Sequence, residues 1–97
     1  MRLEWDSAKN DENLEKHGIS FDEASKLLLA TADRMEVFDN AHSDEEDRFV
    51  AIGPIARGII VVVFTERDEE TIRIISARAA TRRERQRYEA WKIRAVD

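Results

Sequence analysis

The chain has 97 residues, 42% hydrophobic and 38% charged, with a formal net charge of −5. That length supports one core, so residues 1–97 are read as a single domain, and the lack of cysteine removes disulfides, zinc–thiolate sites and thiol catalysis. The longest apolar run, Ile59 to Phe64, is far short of the roughly 20 residues a spanning helix needs, and Glu4 and Asp6 arrive too early for a signal peptide; a cytoplasmic protein with no membrane partner is expected.

Leu3-Glu4-Trp5 alternates as a strand does. Asp6 is placed to cap a helix over residues 7–17, which Gly18 ends. Ser20 and Glu23 have capping-box spacing and open a second helix, whose Phe21, Ala24, Leu27 and Leu28 form one apolar stripe. Met35 to Phe38 reads as a short strand and Asp39 to Asp47 as an acidic loop. Phe49 to Ile55 is a strand interrupted by Gly53-Pro54; proline lacks a ladder donor, which predicts an edge or a bulge there. Arg57-Gly58 marks a hairpin turn, and the β-branched run from Ile59 to Thr65 fits a central strand covered on both faces. After a turn at Arg67 to Glu70, Thr71 to Ala77 is a strand, and Thr81 with Glu84 makes a second capping box for a helix to about Ala95.

The fold class is therefore α+β: a small antiparallel sheet packed by two N-terminal helices and one C-terminal helix. The expected core is Trp5, Phe21, Leu27, Leu28, Val37, Phe49, Ile60, Val62, Phe64, Ile72 and Ile74, with Trp91 anchoring the last helix.

The net charge hides a split. Residues 1–70 carry 8 Lys or Arg against 18 Asp or Glu, whereas residues 71–94 carry 8 basic residues against Glu84 and Glu89. Twelve of the sixteen cations are arginine, whose planar fork matches phosphate oxygens in pairs. A basic face on an acidic body suits an anionic partner, or else a helix whose arginines pair with the acidic half of the same molecule.

Three polar groups could carry chemistry. Lys9, Asn13 and His17 recur every four residues and share a helix face, with Lys16 beside them, suited to phosphate contact or proton transfer; equally, Lys16 and His17 complement the negative end of the helix. Arg67 and Arg78 lie near strand ends, where they could grip a phosphate. Arg73 reads instead as a salt-bridge partner on the outer face of the sheet, sharing that face with Ile75, while Arg78 shares the other with Ile74 and Ser76. On the last helix Glu84, Tyr88, Trp91 and Ala95 form one stripe. Glu84 is either a base supported by neighbouring arginines or simply the acid of the capping box. No glycine-rich phosphate loop, nucleophile elbow or metal-type carboxylate cluster is present. Phosphate chemistry without metal or cofactor remains, which RNA permits because its own 2′-OH can attack.

Trp5-Asp6-x-x-Lys9-x-x-x-Asn13-x-x-Lys16-His17-Gly18-Ile19, Phe21-x-x-Ala24, Val61 to Arg67, and Arg73-Ile74-Ile75-Ser76-Ala77-Arg78 with Glu84 and Tyr88 resemble the BrnT family. BrnT is the toxin half of BrnT/BrnA type II toxin–antitoxin systems, and the likeness runs from about residue 3 to residue 91. The resemblance implies a RelE-like fold and an endoribonuclease that arrests translation and growth. It also implies a BrnA-like antitoxin partner in a 2:2 heterotetramer, with operator DNA bound only through the antitoxin. The residues matching the family motifs, His17, Arg67, Arg78, Glu84 and Tyr88, form the expected catalytic set. Arg67 and Arg78 would hold the phosphate, His17 or Glu84 would take the 2′-OH proton, and Tyr88 would stack on a base or assist the leaving group. Lys9, Lys16, Arg82, Arg83 and Arg87 are expected to contact the RNA. The alternative is a non-catalytic module that docks an antitoxin-like repressor and modulates operator binding.

Overall fold

The computed structural model describes residues 1–30, 33–40 and 46–96. Its elements in chain order are β1 (Arg2–Glu4), α1 (Ser7–His17), α2 (Phe21–Leu29), β2 (Met35–Phe38), β3 (Arg48–Ile55), β4 (Gly58–Glu66), β5 (Thr71–Ala79) and α3 (Arg82–Val96). They make one five-stranded sheet of order β1-β5-β4-β3-β2. The sheet is mixed where a wholly antiparallel one was expected, because β1 lies parallel to β5 at one edge. Helices α1 and α2 then carry the chain to β2 at the opposite edge. The acidic loop expected at 39–47 lies in part outside the described residues.

Local chemistry explains the helix ends. Asp6 accepts from the Lys9 amide at 3.0 Å, and Gly18 closes α1 at φ 72°, a left-handed conformation that costs glycine little. Ser20 caps α2 by accepting from the Glu23 amide at 3.0 Å. Glu23 itself receives Arg57 Nε and Nη2, each at 2.7 Å, and this charged pairing holds its carboxyl below the usual range. The α1–α2 corner is thereby tied to the β3–β4 hairpin. In α3 the capping box closes both ways: Glu84 N donates to Thr81 Oγ1 at 3.2 Å, and Thr81 N to Glu84 Oε1 at 2.8 Å.

The main core fills the sheet face beneath α1 and α2. Phe21, Leu27 and Leu28 pack with Val62, Phe64 and Ile74, all almost wholly buried, with Trp5, Phe49 and Ile72 at the border. Gly53 permits this approach, since a Cβ there would meet Leu27 Cδ1 at 2.6 Å and the Asp33 carbonyl at 2.7 Å. Pro54 is tolerated because β2 pairs with β3 only as far as Ile52, leaving an edge beyond it. Asn13 is a structural brace. Its amide nitrogen donates to the carbonyls of Ile19 and Ala77, each at 2.8 Å, and its oxygen accepts from Ala77 N at 3.1 Å. β1 reaches only as far as Arg73 along β5, so the side chain of Asn13 supplies the ladder partner that strand lacks at Ala77.

Helix α3 lies on the opposite face over a smaller cluster of Met35, Ile52, Val61, Ala80 and Tyr88. Tyr88, 3% exposed, is the anchor here, while Trp91 only borders the cluster, which reverses the expected order. Val37, expected in the core, is 37% exposed because it pairs with Val50 on this second face. Among the described residues no helix is long and apolar enough to cross a membrane.

Candidate functional site

Across an antiparallel pair, residues in register share a face. Arg73 stands opposite Thr65, Ser76 opposite Val63 and Arg78 opposite Val61, so all three β5 residues lie on the second face. Strict alternation would have separated Arg73 from Arg78. The register shifts between Val63 and Phe64, whose partners are Ser76 and Ile74, so Ile75 is an extra residue: a β-bulge. The expectation that Arg73 and Arg78 occupy different faces is corrected by that one residue.

Helix α3 covers only the Ile52–Val61 end of this face. Beside it a groove of about 430 Å³ lies open, floored by Val37, Val50 and Val63 and bordered by Arg48, Arg78 and Arg87. Two further depressions adjoin it at the bulge. One, about 250 Å³, is lined by Lys9, Lys16, His17 and Ser76. The other, about 270 Å³, is lined by Lys9, Arg48, Arg67 and Arg73. Together the three gather seven lysines or arginines against four carboxylates, on a chain whose net charge is −5. The local excess is cationic and is centred on Ile75–Ser76.

Within the groove, Arg78 Nη1 and Nη2 donate to the two Glu84 carboxylate oxygens at 2.7 and 2.8 Å, and Nη1 reaches the Ala79 carbonyl at 3.3 Å. Glu84 also accepts from Thr81 N. These bonds, led by that from Arg78, lower the Glu84 pKa from 4.5 to about 2 against the opposing cost of burial. Glu84 thus caps α3 and fixes a guanidinium, and so strongly held an anion is a poor base near neutral pH. Arg78 retains Nε–H and the outer Nη2–H side by side, bonded to no described residue. That is a second fork, of the kind that grips a phosphate.

The remaining expected residues divide. His17, exposed at the end of α1, lines both the depression with Lys9 and Lys16 and a fourth hollow, shared with Ile55, Arg57 and Arg85. Arg67 leans loosely on Glu4 at 3.6 Å, both side chains about half exposed. Arg82 and Arg83 are exposed along α3, outside the linings of the three depressions. Tyr88 is buried, and its hydroxyl donates to the Asp33 carbonyl at 3.0 Å, so it presents nothing to this surface. Sequence reasoning missed Arg48 and set Arg73 aside. The readable signal was the Ile74-Ile75 doublet, which breaks the period of two in β5.

The family profile described as the ribonuclease toxin BrnT of type II toxin–antitoxin systems matches residues 5–84. The chain is also similar to the crystal structure of the Brucella abortus ribonuclease toxin BrnT, at 28% identity and a TM-score of 0.63, over 84% of this chain and 99% of that one. Comparison with curated proteins gave no match. With most of its length matched by that profile and its α+β architecture shared with a solved relative, this chain belongs to the BrnT ribonuclease toxins of type II toxin–antitoxin systems.

Proposed function

We propose that this chain is a metal-independent endoribonuclease toxin that cleaves RNA by transesterification in the groove beside Arg78, and that a BrnA-like antitoxin neutralises it. The observation that carries the reading is the cationic surface centred on Ile75–Ser76, with Arg78 immobilised by Glu84 while a phosphate-sized fork stays open. The substrate's 2′ oxygen attacks the adjacent phosphorus as the bond to the 5′ oxygen breaks, leaving a 2′,3′-cyclic phosphate and a 5′-OH. Arg78 stabilises the charge that grows on the phosphoryl oxygens. His17 takes the 2′-OH proton on an imidazole nitrogen, and water entering the open groove protonates the departing oxygen. Lys9, Lys16, Arg67 and Arg87 hold flanking phosphates, and Arg82 and Arg83 extend the positive field along α3.

Two members of the expected catalytic set take other roles. Glu84 is a positioning residue for Arg78, and Tyr88 fixes α3 over the sheet. An acidic segment of the antitoxin, two copies of each chain assembling in the cytoplasm, would occupy the same arginines as RNA, and operator DNA would be bound through the antitoxin.

The purified chain should cleave single-stranded RNA in EDTA and release cyclic phosphate ends. Arg78→Ala should slow single-turnover cleavage by about 100-fold or more at a temperature where the variant is still fully folded. Expression should arrest growth unless the antitoxin is co-expressed. RNA binding without cleavage would leave the binding-module reading in place instead.

A further inference from the structure

On the second face three arginines already have carboxylate neighbours: Arg78 holds Glu84, Arg67 leans on Glu4, and Arg48 lies 3.9 Å from Glu46. Arg73 does not. It is half-buried on β5, and among the described residues its guanidinium makes no hydrogen bond or ion pair. It sits in a cross-strand row with Arg48 and Thr65 and lines the 270 Å³ depression together with Lys9 and Arg67. Like charges so gathered repel unless an anion lies between them. Among the described residues the lining sets one acid, Glu46, against Lys9, Arg48, Arg67 and Arg73, and Glu4, in register with Arg73, is paired with Arg67. Arg73 and Arg78 stand opposite Thr65 and Val61, four residues apart on β4, a separation of about 13 Å at strand rise. The two line separate hollows, Arg78 the groove beside α3 and Arg73 the depression with Lys9 and Arg67.

We propose that the depression walled by Lys9, Arg67 and Arg73 is a second phosphate subsite, holding a neighbouring backbone phosphate of the RNA strand whose scissile phosphate lies at Arg78. It rests on the ribonuclease reading above and adds a length requirement. The strand must carry a further phosphate beyond the one that reacts, crossing the bulge at Ile75 between the two positions. The bulge then has a purpose, because without it Arg73 would face the helices.

The test uses the full chain and a short single-stranded RNA made uncleavable by 2′-O-methylation, titrated at several salt concentrations. Arg73→Gln keeps a planar polar group but loses the charge. It should weaken binding about tenfold and reduce the slope of log affinity against log salt by about one. Arg73→Lys should recover most of the affinity, as a point charge still neutralises a phosphate. With cleavable RNA, Arg73→Gln should raise KM and leave kcat within about threefold. A dinucleotide, which has a single internucleotide phosphate, should be cleaved equally by Arg73→Gln and the unaltered chain. Unchanged affinity and salt slope in Arg73→Gln would overturn the subsite. So would an equal loss on the dinucleotide, which would place Arg73 at the scissile phosphate, or weaker antitoxin association with RNA binding intact, which would make the depression a protein contact. If the unaltered chain binds the methylated strand but cleaves no RNA, the ribonuclease reading fails while the titration still decides the subsite.

Discussion

The two faces of the sheet are built from the same strands and put to opposite uses. On the helix-covered face the alternate residues beneath α1 and α2 are apolar: Phe49 and Ala51, then Ile60, Val62 and Phe64, then Ile72, Ile74 and Ala77. On the other face the character changes along each strand, from Ile52 and Val61 beneath α3 to Arg48, Thr65 and Arg73 at the open end. The larger core therefore lies on one side, which frees the open end of the other to carry charge. Adjacent residues of β4 offer the sharpest way to break this contrast. Phe64→Ala should cost about 4 kcal/mol, because the ring is buried beneath two helices. Val63→Ala should cost only about 1 kcal/mol, because its side chain floors an open groove. Denaturant titration gives both values, and equal costs would mean the second face is as closely packed as the first.

Asn13 tests the border between the faces. Asn13→Ala leaves the amide and carbonyl of Ala77 and the carbonyl of Ile19 without their partner, all next to the core. The expected loss is about 3 kcal/mol, read from the same titration. RNA affinity should be retained where the variant is fully folded. A variant as stable as the unaltered chain would show that water can replace the brace.

Much of this architecture was legible in the sequence because it is written in local signals. Asp6, Gly18, Ser20 and Thr81 delimit helices by capping alone, and the β-branched run of β4 announces a central strand. The parallel pairing of β1 was not legible, since nothing within Leu3-Glu4-Trp5 states which strand it will meet. The site was half legible. Arg78 follows from its place near a strand end, but Arg73 depends on a bulge, and a bulge is a property of two strands in register. Tyr88 misled for a related reason: periodicity gives the stripe of α3 but not which of its aromatics the sheet receives.

Acid titration probes the link between α3 and the open face. The Glu84 pKa falls from 4.5 to about 2 on folding, so the unfolded chain binds the proton more readily. The stabilisation is complete above pH 4.5 and disappears as the pH falls toward 2. For a pair whose carboxylate side chain is 22% exposed, solvent screening brings it to the order of 1 to 2 kcal/mol. Glu84→Gln should flatten stability against pH across that window, and an unaltered slope would place the acid sensitivity elsewhere.

The smallest effect separates packing from chemistry. Tyr88→Phe keeps the ring among Met35, Ile52 and Val61 and removes only the hydrogen bond to the Asp33 carbonyl. That bond ties α3 to the residues leading into β2, so its loss should cost about 1 kcal/mol and loosen the helix slightly over the covered end of the face. RNA cleavage should be unchanged, because the hydroxyl points away from the groove into the protein. The opposite pattern, a tenfold slower reaction with stability intact, would require the Tyr88 ring to leave its pocket when RNA binds. The second face would then be a surface that α3 uncovers, and the division between a packed side and an open side would hold only for the unbound chain.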